Sequence, residues 1–168
     1  MKEALLVVDM QNQLIEEGPY QLIQMVEGIQ KLIANFRETK QPVIFVRHNG
    51  LGLPLGSRDW EIYPSLSPQK GEKIIDKTFN SAFKKTDLKE YIDNQAIIQL
   101  VIVGMQTEYC IDATVKSAFD LDIPVILPIG LTSTFDNLLM SAQTLIAHYS
   151  DIWQGRFAQL LSLEDLIK

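Results

Sequence analysis

Four continuous apolar runs divide this chain: Ala4 to Val8, Pro42 to Val46, Ala96 to Val103 and Pro124 to Leu127. Each is rich in Val, Ile and Leu and lacks the polar alternation of a half-exposed strand. Such runs are the pattern of parallel strands covered on both faces. Longer segments with helical spacing lie between them, the clearest being the stripe Leu22, Val26, Ile29, Leu32, Ile33 and Phe36. Further helices are expected from about Tyr109 to Leu121 and from about Leu138 to Tyr149. Strand and helix in alternation predict an α/β fold with three α-β-α layers, a doubly wound and mostly parallel sheet joined by right-handed crossovers.

At 168 residues and 46% hydrophobic content, residues 1–168 are the size of one domain with enough apolar material to cover such a sheet. The formal charge of −6, without any block of Lys or Arg, disfavours nucleic acid and anionic membrane as partners. A small organic molecule is expected instead. No apolar stretch approaches the ~20 residues that span a bilayer. Met1-Lys2-Glu3 leads into a strand rather than a signal peptide, and the single cysteine offers no disulfide framework, so a cytoplasmic protein is expected. No Gly-x-Gly-x-x-Gly follows any predicted strand, and no dinucleotide cofactor is expected.

The stretch His48 to Gly71 holds four of the nine glycines and three of the seven prolines without sustained periodicity. It reads as one long loop, and long loops in compact domains are usually lids or binding loops. Trp60, Ile62 and Tyr63 there supply either an aromatic pocket wall or an anchor for the loop. From Ser150 onward a short strand and a terminal helix are expected, with a loose capping box from Ser162 to Asp165.

Three chemistry-bearing residues stand at strand-like ends. Asp9 closes the run Ala4 to Val8, Lys77 follows Ile74-Ile75, and Cys110, the only cysteine, comes after Leu100 to Val103 and Gly104. Packing alone can explain a lone buried cysteine. A carboxylate closing a buried strand is harder to explain without a role. Open α/β sheets place their ligands beyond the carboxyl ends of the strands, which would bring acid, amine and thiol together. An ammonium and a helix amino terminus both favour a thiolate, and a carboxylate can carry a proton between nucleophile and leaving group, so the set suits nucleophilic hydrolysis.

Three blocks extend this reading: Leu6-Val7-Val8-Asp9-Met10-Gln11-Asn12, then Lys77 to Phe83 with Thr86 and Leu88, then Gly104 to Thr114 with Ala118. In order and spacing they resemble the isochorismatase-like cysteine hydrolases, a family with nicotinamidases, pyrazinamidases and carbamoyl-amide hydrolases among its members. The resemblance implies a Rossmann-like three-layer fold and an Asp9, Lys77, Cys110 catalytic triad. Cys110 would attack a carbonyl carbon to give a covalent acyl-enzyme, with Asp9 as proton carrier and Lys77 holding Asp9 and favouring the thiolate. It further implies a non-proline cis peptide at Met105-Gln106, which would aim the backbone N–H of Gln106, with that of Cys110, at a developing oxyanion. Gly104 fits either a close backbone approach there or an ordinary turn. Gln11, Leu14 and Trp60 are expected to line the substrate pocket. Leu14 stands where many relatives carry a phenylalanine. A homodimer or homotetramer is also implied.

Departures from the family narrow the chemistry. Nicotinamidases carry an Asp-x-His pair and a further His as metal ligands, whereas the matching stretch here is Val46-Arg47-His48-Asn49-Gly50, and the other histidine is the distant His148. One unmatched histidine reads as a surface or capping residue, so no metal is expected and nicotinamide is disfavoured. The presence of Cys110 favours C–N cleavage over the vinyl-ether cleavage of true isochorismatases, which would survive loss of the thiol. Gly130-Leu131 replaces a common Asp-Ala pair, and Asp122-Ile123 a Gly-aromatic turn. Two further readings remain. A haloacid-dehalogenase-like phosphohydrolase would need an acid where Gln11 stands, and a non-catalytic α/β binding module would leave Cys110 unreactive.

Overall fold

The computed structural model describes residues 2–50 and 52–167. The chain runs β1 (Glu3–Val8), α1 (Asn12–Glu16), α2 (Leu22–Glu38), β2 (Val43–His48), β3 (Lys73–Lys77), α3 (Leu88–Asn94), β4 (Gln99–Met105), α4 (Asp112–Asp120), β5 (Val125–Pro128), β6 (Thr132–Ser133), α5 (Ala142–Trp153), β7 (Gln159–Leu161) and α6 (Leu163–Leu166). The strands form a seven-stranded sheet in the order β3-β2-β1-β4-β5-β7, with β6 paired to the end of β4. Every strand pair in it is parallel.

Both faces are covered, which is why the strand sequences are apolar at consecutive positions. Ala4, Leu6, Val8, Ile44, Leu100 and Ile102 pack with Leu88 and Ile92 of α3, Val115 and Ala118 of α4, and Trp153 of α5. Their alternates Leu5, Val7, Phe45, Val101 and Val103 pack with Met25, Ile29, Leu32, Ile33 and Phe36 of α2 and with the partly buried Leu163 and Leu166 of α6. The expected three-layer doubly wound α/β fold is therefore the observed one. No helix among the described residues is long and apolar enough to cross a membrane.

Differences from the sequence reading have local causes. The long loop is interrupted by a single 3-10 turn, Pro64–Leu66, and is tied back to the start of α1 by an antiparallel bridge between Gln11 and Ile62. The helix expected from Leu138 begins at Ala142 instead. The Asn137 side-chain oxygen takes the backbone N–H groups of Leu139 and Met140, and Ser141 caps the helix by accepting from Thr144 N at 3.2 Å. The segment expected as a helix from Tyr109 starts as a π-helical turn, Thr107–Ile111, before α4. At the carboxy terminus Ser162 does cap α6, accepting from Asp165 N and donating to its carboxylate.

Leu131 is buried against α2. A Cβ built on Gly28 would lie 2.4 Å from its Cδ2, so the bare glycine makes room for the leucine. Asp122 holds φ +56, a left-handed conformation that Asp tolerates better than most residues.

Candidate functional site

Asp9 follows β1 directly and adopts φ +53, with its N–H bonded to Val46 O at 3.0 Å. A non-glycine residue in this region must be held by its surroundings, and such positions cluster at sites of function. Lys77 is the last residue of β3 rather than a residue beyond it. Cys110 lies in the π-helical turn between β4 and α4, where Tyr109 and Ile111 both donate to Gln106 O. The peptide bond Met105-Gln106 is cis. Gly104 is not a turn residue. It sits inside β4 opposite Val8 at φ +113, and a Cβ there would lie 2.1 Å from Val8 O, so only glycine fits.

These three elements bring the acid, amine and thiol into contact. The Lys77 ammonium donates to Asp9 Oδ2 at 2.7 Å and to Cys110 Sγ at 3.1 Å. Asp9 is 1% exposed and Lys77 2%, so the pair is desolvated and its partners matter strongly. The second carboxylate oxygen, Asp9 Oδ1, is buried and has no hydrogen-bond partner. It is an open acceptor beside the Lys77 ammonium. Thr114 braces the Cys110 turn, donating to Cys110 O at 2.6 Å while accepting from Ala82 N at 3.0 Å. A bond of 2.8 Å between Ser81 and Ser117 adds a second tie between the segment after Lys77 and α4.

His48 reads in the sequence as a surface or capping residue, and the structure places it half-buried at the site. It ends β2, the strand between those carrying Asp9 and Lys77, and its Nδ1 lies 3.1 Å from the Lys77 ammonium. A carboxylate oxygen of Asp9, a ring nitrogen of His48 and Cys110 Sγ all fall within 4.8 Å of one another. That is a plausible cation-binding set in isolation. Lys77 already donates to all three residues, however, so a metal ion would have to displace a buried ammonium, and the donor set does not fit a resident metal.

The site opens into a cavity of about 170 Å³. Asp9, His48, Asn80, Gln106 and Cys110 supply its polar wall, and Leu14, Leu53, Met105 and Tyr109 its apolar wall. Leu14 lines the cavity as expected, and Gln106, expected as an oxyanion donor, lines it too. Gln11 and Trp60 are not. The Gln11 carboxamide is fully buried and used up by backbone, donating to His48 O and Trp60 O at 2.9 and 2.8 Å and accepting from His48 N at 2.8 Å. Trp60 is turned beneath the Arg47 guanidinium, 3.6 Å from its ring centroid, and that guanidinium is held by Asp76 at 2.7 Å. Both residues hold the loop against β2. His48, Asn80, Leu53 and Tyr109 are the lining residues the sequence reading missed. His48 follows the predicted strand Pro42 to Val46 by two residues, and its meeting with Lys77 is set by the order of strands in the sheet.

Burial pushes the Cys110 thiol up from an ordinary 9.0 to about 12, the Asp9 charge adding to the effect and the Lys77 charge opposing it. The resting residue is therefore a thiol at neutral pH, where the sequence reading expected a favoured thiolate. Burial, and then the positive charge of Lys77, hold the His48 imidazole below its usual 6.5.

An isochorismatase domain model matches residues 3–164. The isochorismatase family protein YddQ of Bacillus subtilis (strain 168) is 34% identical over 128 residues, 71% of this chain and 71% of that one. Streptothricin hydrolase of Streptomyces noursei is 26% identical over 139 residues, 80% of this chain and 50% of that enzyme. The crystal structure of an isochorismatase family protein superposes with a TM-score of 0.92 at 35% identity, covering 95% of this chain and 98% of the other. With a family model spanning nearly its whole length and a fold shared with a solved member, the chain belongs to the isochorismatase family of hydrolases.

Proposed function

We propose that this hydrolase cleaves a C–N amide or carbamoyl bond of a small uncharged molecule through an acyl-enzyme on Cys110. The observation that carries the reading is the Lys77 ammonium, buried between Asp9 at 2.7 Å and Cys110 at 3.1 Å, with Asp9 Oδ1 left unpartnered. Because the thiol rests protonated, attack is coupled to proton transfer. Asp9 Oδ1 takes the proton as Sγ bonds to the carbonyl carbon, then delivers it to the leaving nitrogen as the C–N bond breaks. Water, deprotonated by Asp9, attacks the thioester. The S–C bond breaks, the acid departs and the proton returns to Sγ. The backbone N–H groups of Gln106 and Cys110 are the proposed oxyanion donors, each typically worth ~3 kcal/mol in the transition state.

An uncharged substrate is favoured by the wall itself. Among the described residues no Lys or Arg side chain lines the cavity, and the nearest ammonium, Lys77, has its three protons committed to Asp9, His48 and Cys110. A substrate carboxylate would be desolvated without a counter-charge.

The test is a panel of small neutral amides and ureides, with ammonia or amine release measured alongside intact-protein mass spectrometry. A mass increase equal to the acyl group, lost in Cys110→Ala together with turnover, is the expected result. Turnover that survives Cys110→Ala would sink the reading and point to vinyl-ether or other non-covalent chemistry.

A further inference from the structure

Lys77 donates three hydrogen bonds, and an ammonium has three protons to give. Two of them go to Asp9 and Cys110. The third goes to His48 Nδ1 at 3.1 Å, a residue to which the proposed chemistry assigns no step. We propose that His48 is a positioning residue for the reaction: as a neutral imidazole it accepts the third Lys77 proton and so fixes the ammonium between acid and thiol. This deepens the Asp9, Lys77 and Cys110 reading and rests on it.

Several features of the fold serve that contact. Gln11 holds the backbone of His48 at both its N–H, 2.8 Å, and its C=O, 2.9 Å, at the point where β2 has run past its pairing with β1. The next residue, Asn49, donates to Lys77 O at 2.9 Å, which locks the histidine and the lysine in register. Gly50 leaves the ring its space, since a Cβ there would lie 3.3 Å from Nε2.

Lysine offers no acceptor, so Nδ1 must be bare and the ring proton must sit on Nε2. The charged groups facing the ring are Asp9 after β1 and Lys77 on β3, with the Cys110 thiol across the cavity. Protonating His48 would set an N–H against the Lys77 N–H and release the ammonium from its third anchor. The lowered pKa keeps this from happening at neutral pH. Acidification should therefore loosen Lys77 before it unfolds the protein.

The first test needs no substrate. The chain has two histidines, so a long-range nitrogen spectrum of protein labelled with ¹⁵N-histidine contains two imidazoles, and His148→Asn assigns them. The expected result is a neutral Nε2–H tautomer for His48 with a titration midpoint below that of His148, and a midpoint that rises in Lys77→Met. An Nδ1–H tautomer would overturn the proposal.

The second test follows single-turnover acylation by p-nitrophenyl acetate from pH 5 to 8, taken as the excess over Cys110→Ala. Asparagine places an acceptor near the Nδ1 position but does not titrate in this range. His48→Asn should keep the acylation rate within about fivefold at pH 8 and lose the histidine's share of the acid limb, while protonation of Asp9 affects parent and variant alike. His48→Leu should lower the rate about a hundredfold, the loss typical of a displaced catalytic group, with half-saturation little changed. Parent-like rates in His48→Leu, or a His48→Asn variant as impaired as His48→Leu, would overturn the proposal. Absence of any excess over Cys110→Ala in the parent protein would instead overturn the nucleophile reading, and the tautomer result would still stand.

Discussion

Cys110 works in a setting that disfavours its reactive form. Burial and the Asp9 charge raise its pKa to about 12, so in the proposed mechanism the acid that suppresses the thiolate would also be the group that removes its proton. Asp9→Asn separates these effects. Without the negative charge the thiol pKa falls, and alkylation of Cys110 by iodoacetamide at pH 9 should quicken by about tenfold per unit of that fall. Amide turnover should drop by roughly 10²–10⁴, the usual worth of a positioned base. A cysteine that merely packs would show neither change, and slower alkylation in Asp9→Asn would contradict the assignment. Asp9, Lys77 and Cys110 were legible in the sequence because each is a reactive residue closing or following a buried strand. His48 was not, because its partner is chosen by the order of strands in the sheet. Gln11 and Trp60 misled for a related reason: whether a loop-side residue faces a cavity or the backbone depends on the path of the loop, and no periodicity encodes that path.

Two elements fix the site by backbone contact, and each makes a stability prediction. Gly104 lets β4 pass β1 where Val8 O would be 2.1 Å from any Cβ, in a φ of +113 that other residues rarely adopt. Gly104→Ala combines overpacking against backbone with conformational strain, each worth about 1–3 kcal/mol, and should shift the urea midpoint accordingly. A loss below about 1 kcal/mol would mean that the two strands separate easily there. Gln11 substitutes for a missing strand at the end of β2, meeting three backbone groups of His48 and Trp60. Gln11→Leu leaves one buried and two half-buried backbone groups without partners and should cost about 2–4 kcal/mol, since a fully buried group of this kind costs roughly 1–3 and a half-buried one less. The strands themselves were legible from their apolar runs, and α2 from its stripe. The start of α5 was not, because Asn137 and Ser141 capture backbone N–H groups that an apolar count treats as available. The π-helical turn at Thr107–Ile111 was also missed, since its sequence continues smoothly into α4.

For the whole molecule, the site imposes a pH window on folding. Cys110 is raised from 9.0 to about 12, so between those values the native state holds a proton that the unfolded chain has lost, and stability falls as pH rises. His48 is lowered from 6.5, so below that value the unfolded chain binds a proton that the native state resists, and stability falls as pH drops. Stability should thus be flattest from about pH 6.5 to 9 and decline on both sides for reasons located at one sheet edge. The alkaline slope from one such proton is at most about 1.4 kcal/mol per pH unit. Urea unfolding at half-unit steps from pH 5 to 11 separates the two limbs when parent, Cys110→Ala and His48→Asn are compared. Cys110→Ala carries a fixed packing loss but should run flatter than the parent above pH 9, and His48→Asn flatter below pH 6.5. Parallel curves for all three would show that the site is not where the fold feels pH, and that the charges gathered around Lys77 balance in the unfolded chain as well as they do in the sheet.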